Sequence, residues 1–487
     1  MRKAFEQQQR LDCSPVLDVR LNTGCRDEIV PILRALQHIY SQPKLRDAIL
    51  HEIGRDVNGT SSPNHGRQGM HYWQILVLAA VRLGCDLDYD KLQDLAEQHR
   101  ALRQIMGIGD WDEQTTFDWR RIQENLNKIR PETVEKLNQL IVGAGHELAP
   151  EAVETVRVDS FVVETNIHYP TDSSLIRDGI RKVVTLAAAL APLLGLGGWR
   201  QSKHLCRKAR KLVRRIDRVA ARKRAGYQER LKPLYRDLLD LSEPLLDRAE
   251  KLKNKACDAG NLDLEASALA DELAVFLDRT RYVCHLARRR VLQGEKVPNC
   301  EKLFSIFEPH TQLYKRGKAA EPVQFGRQFL ICEDGSGFIT HAYLMPRDKD
   351  DRDVAVGQMR KLQKRLRGRI RRASFDRGFH SPKNQQELSK IIAEPCLPMP
   401  GSRQAAQQDA QASVVFRQAR QNHPGIESAI GALQAGNGLM RCRDRTEHGF
   451  HRYLHLGVLG RNLHVLGKLL IAHEGDAVSG RSRRKAA

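Results

Sequence analysis

The sequence predicts a mixed α/β fold, with a helical N-terminal domain and a large helical insertion after the first strand. Apolar residues recur at helical spacing through residues 24–145. The spacing becomes that of an extended strand near residue 150. Helical spacing then returns, and strands resume after residue 300. We therefore predict a helical N-terminal domain (1–150), an α/β domain (151–473) interrupted by a basic helical insertion (172–300), and a disordered basic tail (474–487).

The composition indicates a polyanionic partner. The 487-residue chain has 80 Lys and Arg residues against 59 Asp and Glu, a formal charge of +21. This balance favours nucleic acid over a membrane, although a generally basic solvated surface is the alternative. Ten cysteines without a CxxC pair indicate reduced thiols, and the longest apolar run, 183–199, is interrupted by Pro192. We therefore expect a cytoplasmic, nucleoid-associated protein that does not bind membranes.

The N-terminal region contains three segments with clear amphipathic spacing. They are "YWQILVLAAVRLGCDL" (72–87), "YDKLQDLAEQHRALRQIMG" (89–107) and "TTFDWRRIQENLNKI" (115–129). The acidic and hydroxyl residues of "GDWDEQTT" (109–116) predict an N-terminal cap for the third helix. Short helices of this kind suit a small DNA-binding bundle, and they equally suit any helical domain.

The insertion begins with a strongly basic segment. Residues 200–232 contain fourteen Lys and Arg residues and two acidic residues. An apolar stripe of Leu205, Leu212, Ile216 and Val219 predicts a packed helix with a cationic outer face. A solvated charged face is the usual interpretation of such a run, but the excess of positive charge favours phosphate contact. The candidate DNA-binding residues here are Arg207, Lys208, Arg214 and Arg215.

Three acidic residues are notable for their positions. Asp159 lies within the strand "VRVDSFVVETN" (156–166), Asp376 follows a short strand in "RRASFDRGFHSP", and Glu427 lies in the first turn of a helix at 425–440. Between the first two, 321–345 predicts a β-hairpin with a turn at "EDGSG", and about 351–367 predicts a polar helix.

The order strand, hairpin, helix, strand, helix allows these three carboxylates to converge. Converging carboxylates would bind Mg²⁺ or Mn²⁺, and two such ions support phosphodiester chemistry. Each residue also has a simpler explanation. Asp159 would face solvent from a half-buried strand, Asp376 would be a turn residue, and Glu427 would complement the dipole of its helix.

The motifs around these acids resemble DDE transposases with a ribonuclease-H-like fold, in the group that includes the IS5, IS1182 and ISNCY insertion sequences. The similar stretches are "VDSFVVETNIHYPTDSSLIRDG", "FDRGFHSP", "IESAIGALQAGNGLMRCRDR" and "LGRNLHVLGK". The stretch "NIHYPTDSSLIRDGIR" looks most like ISNCY-type enzymes. The resemblance covers most of the chain.

The resemblance implies a ribonuclease-H-like mixed sheet flanked by helices and a metal-binding triad of Asp159, Asp376 and Glu427. It implies a DNA transposase that cuts the ends of its element and joins 3′-hydroxyls to target DNA with Mg²⁺ or Mn²⁺. The partners would be terminal inverted repeats and target DNA, bound by a homodimer on the DNA ends. The N-terminal domain would bind those ends, and further candidates for DNA contact within the motifs are Arg377, Arg441 and Arg443.

The chain also departs from this pattern. Related families often have Tyr, Arg and Lys around the glutamate, where this sequence has Arg420, His423 and Gln434. Two alternative functions remain open: a metal-dependent DNA nuclease on the same fold, and a non-catalytic DNA-binding protein derived from a transposase.

A second cluster of possible metal ligands lies in "EHGFHRYLH". If this segment is helical, it places His448, His451 and His455 on one face, with Cys442 upstream. A zinc site requires a fourth ligand at a definable position, so we expect these histidines to contact phosphate or solvent instead.

Overall fold

The computed structural model describes residues 11–59, 69–222, 224–258, 263–315, 322–347, 349–399 and 413–485. The chain divides into two compact units. The first, called the main unit here, comprises the residues up to Asn166 and those from Gly326 onwards. The second, called the insertion unit, spans Ile167–Phe325.

The main unit begins with seven helices. They are α1 (Ile29–Ser41), α2 (Pro43–Asn58), α3 (Tyr72–Gly84), α4 (Tyr89–Gln98), α5 (Arg100–Ile105), α6 (Trp119–Lys128) and α7 (Pro131–Leu148). The predicted helix at 89–107 is divided at His99, whose side chain accepts a hydrogen bond from the backbone of Leu102 and so begins α5. The third predicted helix begins four residues later than expected, with Asp118 as its N-cap.

The sheet of the main unit is built around its longest strand. The strands are β1 (Thr155–Thr165), β3 (Val323–Asp334), β4 (Ile339–Leu344), β5 (Arg372–Phe375), β6 (Glu394–Cys396) and β7 (Arg441–Cys442). They follow the order β4-β3-β1-β5-β6, and β7 pairs with the end of β1. The hairpin partners β3 and β4 are antiparallel, as are β1 and β3, whereas β5 and β6 run parallel to β1. The sheet is therefore mixed.

Helices cover both faces of this sheet. The remaining helices of the main unit are α12 (Asp351–Arg365), α13 (Pro382–Ser389), α14 (Val414–Asn422), α15 (Gly425–Ala435) and α16 (Glu447–Lys485). Val156 and Val158 of β1 share a core with α12 and α13, whereas Phe161 and Val163 share a core with α15 and α16. This division follows from the strand, because successive side chains point to opposite faces.

The N-terminal helices do not have a core of their own. Ile32 of α1, Trp73 of α3 and Ile141 of α7 belong to the same buried cluster as Phe161 of β1 and Leu454 of α16. The boundary predicted near residue 150 is visible as the change from α7 to β1, but the compact unit continues across it. Periodicity detects the change of secondary structure and contains no information about which elements share a core.

The insertion unit is helical. Its elements are α8 (Asp172–Leu193), α9 (Ser202–Arg222), α10 (Tyr227–Asp258), α11 (Leu264–Ala287) and the short strand β2 (Gln312–Lys315). All members of its buried cluster lie between Leu175 and Ile306, so its core is formed by one contiguous segment. The unit extends beyond the predicted limits of 172–300 at both ends.

Two further expectations concern the chain as a whole. The last helix, α16, continues to Lys485 through the region predicted as a disordered tail, which is consistent with the low cost of extending a helix that is already anchored in a core. Across the described segments, no helix is long and apolar enough to cross a membrane.

Candidate active site

The pairing of β1 with β5 determines the relative position of two of the predicted acids. The two strands are parallel, and the last residue pair is Val158 with Phe375. The next residue on each strand is an aspartate, Asp159 on β1 and Asp376 just after β5. Because parallel neighbours lie about 4.8 Å apart, this register sets the two carboxyl groups side by side at the end of β5.

Glu427 approaches the same place from α15. Arg157 of β1 contacts the chain just before this helix, since its Nη1 donates a hydrogen bond of 3.2 Å to the carbonyl oxygen of Asn422, the last residue of α14. The same guanidinium pairs with Glu333 of β3 at 2.7 Å, and a side chain on Gly425 would collide with it. Glycine at this position therefore allows the first turn of α15, which carries Glu427, to pack against the strand.

His423 provides a second link between this helix and the sheet. Its Nδ1 atom lies 3.0 Å from the hydroxyl of Ser374 on β5, and both residues are buried. Burial lowers the pKa of His423, and the nearby Arg420 acts in the same direction. The charges of Asp376 and Glu427 oppose that shift, which places the imidazole beside both acids. His423, one of the positions that departs from the DDE transposase pattern, therefore lies beside two of the predicted acids.

The pKa of Asp159 indicates which other acids lie near it. Burial raises the pKa of this carboxyl group to about 7, and the negative charges of Asp376, Asp351 and Glu427 add to the shift. A hydrogen bond from the Ser160 amide, at 2.7 Å, opposes it. Asp376, Asp351 and Glu427 therefore each lie close enough to Asp159 to raise its pKa, and Asp351 is a fourth carboxylate in the group.

Asp351 was not among the predicted site residues. It is the first residue of α12, and its Oδ1 atom accepts hydrogen bonds from Ser160 at 2.7 Å and from Gln328 at 2.9 Å. These bonds join α12, β1 and β3 around one carboxylate oxygen. Burial raises its pKa, and the charges of Asp350 and Asp376 do the same. The acidic run "DKDDRD" (348–353), which extends into the first turn of α12, was the available indication of this residue, but only the tertiary packing brings it beside β1.

The donor atoms of this group are all carboxylate oxygens. Across the described residues, no lysine or arginine forms an ion pair with any of these four acids. Their mutual repulsion is therefore uncompensated by protein cations, and oxygen ligands of this kind suit Mg²⁺ or Mn²⁺. Within the same residues, no group of three or more His, Cys, Asp or Glu side chains is already close enough to hold an ion.

The predicted DNA-binding arginines of the main unit differ in their surroundings. Arg377 follows Asp376 directly, is exposed and has no ion-pair partner within the described part of the chain. Arg441 pairs with Glu164 of β1 at 2.7 Å. Arg443 pairs with Asp86 and lies 3.0 Å from the hydroxyl of Tyr453. Of these three arginines, Arg377 is thus the one without an ion-pair partner among the described residues.

The predicted basic helix of the insertion unit is α9. Ala209, Val213 and Ile216 are buried on its inner face, and Leu205 and Leu212 of the predicted stripe pack against the same core. The four predicted DNA-binding residues, Arg207, Lys208, Arg214 and Arg215, are all exposed. Arg215 lies 3.9 Å from Asp237.

The cluster of three histidines occupies the first turns of α16. His455 is 2 % exposed, and its Nε2 atom lies 3.1 Å from that of His451. Burial lowers the pKa of His455 to about 3, so the ring is neutral at physiological pH. The expectation that these histidines contact phosphate or solvent is wrong for His455, because this ring packs edge-on against Phe329 in the core. His448 is exposed.

Comparison of the chain with protein-family models, with curated proteins and with solved structures finds no match.

Proposed function

We propose that this protein is a DNA transposase of the DDE type, in which Asp159, Asp376 and Glu427 form the catalytic triad. One observation carries the proposal. The β1–β5 register sets Asp159 beside Asp376, and Glu427 lies close enough to raise the pKa of Asp159. Placing negative charges beside the half-buried Asp159 is unfavourable unless a cation compensates them, so the arrangement favours a metal-dependent site.

The order of elements supports a ribonuclease-H-like catalytic domain. The main unit contains a strand (β1), an antiparallel hairpin (β3–β4), a helix (α12), a parallel strand (β5) and, after α13, β6 and α14, the helix α15. This is the succession that the resemblance to DDE transposases implies. The insertion between β1 and β3 leaves this succession intact, since the two strands are paired along nine residues of β1.

The positions of the four carboxylates suggest a separate role for each group of residues in the reaction. Asp159, Asp376 and Glu427 would hold one or two Mg²⁺ or Mn²⁺ ions, which, when bound, activate the attacking oxygen and stabilise the leaving one. Ser160 and Gln328 would fix Asp351 through its Oδ1 atom. Its Oδ2 atom would then face the turn after Asp376, since it lies 3.5 Å from the point that a Cβ atom would occupy on Gly378. Arg377 would orient the scissile phosphate.

The exposure of this site fits a large substrate. Asp376 and Glu427 are exposed, and Asp159 and Asp351 are half-buried, so a DNA backbone would reach all four without entering a closed cavity. Cleavage would form one P–O bond from water and release the 3′-oxygen as a hydroxyl. In strand transfer this hydroxyl would attack a target phosphate, form a new P–O bond and displace the 3′-oxygen of the target strand as a hydroxyl. The formal charge of +21 supports double-stranded DNA as partner. A transposase that brings two element ends together would act as a homodimer on DNA in the nucleoid.

The test uses DNA from the flanks of the protein's own coding region, where short inverted repeats are expected. Purified protein is incubated with these duplexes and Mg²⁺, and both cleavage and joining of pre-cut 3′-ends to a plasmid are measured. Asp159→Asn, Asp376→Asn and Glu427→Gln should each reduce cleavage by roughly a thousandfold or more, because each removes a charge from the ion-binding group. Binding in EDTA should be retained.

The control variant is Asp94→Asn, which removes one negative charge from an exposed position on α4. It should cleave like the unaltered protein. Cleavage without joining would favour the nuclease. DNA binding with no metal-dependent product from the unaltered protein would favour the non-catalytic alternative. Near-normal cleavage by any one triad variant would remove that residue from the site.

A further inference from the structure

The insertion unit contains a cleft between α8 and α9 whose lining is dominated by cations. The cleft has a volume of about 410 Å³. Five basic residues line it, together with Asp178, Thr185, Ser202 and Cys206. The basic residues are Arg177, Arg181, Lys203, Arg207 and Arg210. Only one of them, Arg207, was predicted from the sequence to contact DNA.

The spacing of these residues explains why they face one another. On α8, Arg177 and Arg181 are four residues apart, which places them on one side of the helix. On α9, Lys203, Arg207 and Arg210 follow at intervals of four and three. Two basic rows therefore line opposite walls. The thiol of Cys206 lies between them, and the guanidinium groups of Arg181 and Arg210 both lower the pKa that burial raises.

Most of this charge is not neutralised by the protein. Arg177 pairs with Asp178 at 3.1 Å. In contrast, Arg181, Lys203, Arg207 and Arg210 form no ion pair with any residue that the structure describes. Other arginines of the same unit are compensated, since Arg281 and Arg289 each pair with two acidic residues. A concave surface that concentrates unpaired cations attracts an anion.

Packing fixes the position of the cleft wall formed by α8. The guanidinium of Arg181 lies over the ring of Phe307, with 5.5 Å to the ring centroid. Thr185 donates a hydrogen bond of 2.8 Å to the carbonyl oxygen of Arg181. On the other wall, Ala209 and Val213 anchor α9 in the core while the basic row remains exposed. The two rows are therefore borne by packed helices and not by loops.

We propose that this cleft is a binding site for the sugar–phosphate backbone of a nucleic acid strand. The row from Lys203 to Arg210 extends roughly 10 Å at 1.5 Å per residue, which matches about three phosphates of one strand. The lining contains no aromatic ring on which a base could stack. Binding here is consequently independent of sequence. The assignment of that nucleic acid as DNA rests on the proposed function.

The experiment compares two triple variants of the full chain that remove the same charge. The cleft variant is Arg181→Gln, Arg207→Gln and Arg210→Gln. The control variant is Arg236→Gln, Lys251→Gln and Lys255→Gln, three exposed positions on α10 outside the cleft lining. Binding to a random 30-base-pair duplex is measured by fluorescence anisotropy in EDTA at several salt concentrations. EDTA separates binding from the metal-dependent chemistry.

The cleft variant should lower the slope of log K against log salt by about two to three, since each phosphate contact contributes about 0.9. The control variant should lower it by less than one. Equal losses in the two variants would overturn the proposal, because only net charge would then matter. A loss confined to the cleft variant would support the site even if the protein proved to have no cleavage activity.

Alkylation of Cys206 provides a second measurement with unaltered protein. Saturating duplex should slow its reaction with iodoacetamide severalfold, as read by mass spectrometry of the labelled peptides. The exposed thiols of Cys257 and Cys300, which lie outside the cleft lining, are internal controls. Unchanged labelling of Cys206 under conditions of full binding would show that the duplex does not occupy the cleft.

Discussion

The two compact units differ in how the chain supplies their cores. The core of the insertion unit comes from a single stretch, Leu175 to Ile306. The largest core of the main unit combines residues from the N-terminal helices, the sheet and the last helix, from Val16 to Leu470. A contiguous core can form without the rest of the chain, whereas an interleaved core requires both ends of it.

This difference changes which part of the molecule is separable. Sequence periodicity marks the N-terminal helices as a domain of their own, because their pattern ends sharply near residue 150. The packing of α1, α3 and α7 against α16 makes them part of the main unit instead. The proposed end-binding role of these helices therefore has to be tested by surface substitutions, and not by their removal.

The largest expected effect comes from truncation. A chain beginning at residue 147 loses α1 to α6 and nearly all of α7, and with them a large share of the main core. It should show no cooperative thermal transition and should aggregate, because the apolar faces of α16 and the sheet would be exposed. The isolated segment 167–325 should fold as a helical domain with a cooperative transition. Circular dichroism on heating measures both.

Cooperative unfolding of the truncated chain at a temperature near that of the full protein would contradict the claim that the main core requires the N-terminal helices. The contrast between the two units also fails if the isolated segment is unstructured, since the insertion core would then depend on the remainder of the chain. The full chain is the reference for both measurements.

Glycines at close helix crossings allow each unit to be perturbed separately. A Cβ atom on Gly460 of α16 would lie 2.6 Å from the Cα atom of Gly84 on α3. One on Gly179 of α8 would collide with Thr280 of α11. Gly460→Leu and Gly179→Leu should each destabilise its own unit by about 3 kcal/mol through overpacking. Calorimetry should show each variant lowering a different transition.

Gly475→Ala is the matched control on α16, because a Cβ atom there meets nothing within 4 Å. Alanine is a better helix former than glycine, so the unfolding temperature of the main unit in this variant should be unchanged or slightly higher. A lowering of both transitions by either leucine variant would indicate that the two units unfold together, contrary to the separability inferred from their cores.

Much of the sheet and of the candidate site was predictable from the sequence. The hairpin at 321–345, the helix near 351–367 and the strand before Asp376 are confirmed as β3–β4, α12 and β5. Each has a local signature: a Gly-containing turn, an acidic first turn, or an apolar run. The three acids could be named because each lies at the end or start of such an element or interrupts an apolar strand.

Features that depend on tertiary packing were not predictable in this way. Asp351 looks like an ordinary acidic residue in the first turn of a helix, and only its bonds to Ser160 and Gln328 attach it to the site. Similarly, Arg181 and Arg210 lie on different helices, and their approach across the cleft depends on how α8 packs against α9. His455 was expected to contact phosphate or solvent because no fourth zinc ligand could be defined near it, but its side of α16 is the buried one.

The smallest expected effect concerns the main unit alone and depends on pH. Burial and the neighbouring acids raise the pKa of Asp159 from its usual 3.8 to about 7. The folded state therefore binds this proton more tightly than the unfolded state does. The resulting stabilisation is fully present below about pH 4 and is lost as the pH rises through about 7. Asp159→Asn removes this dependence, because an amide does not titrate.

In EDTA at pH 8, Asp159→Asn should therefore raise the free energy of unfolding of the main unit by roughly 2 kcal/mol, and the gain should shrink toward pH 5. Chemical denaturation at each pH measures it. Glu164→Gln is the control, since Glu164 is also half-buried on β1 but is paired with Arg441.

Saturating Mg²⁺ at pH 8 should reduce the difference in unfolding free energy between Asp159→Asn and the unaltered protein, because a bound cation would stabilise the ionised carboxylate only in the unaltered protein. A pH-independent difference, or one of opposite sign, would show that Asp159 is not held among like charges as the β1–β5 register places it.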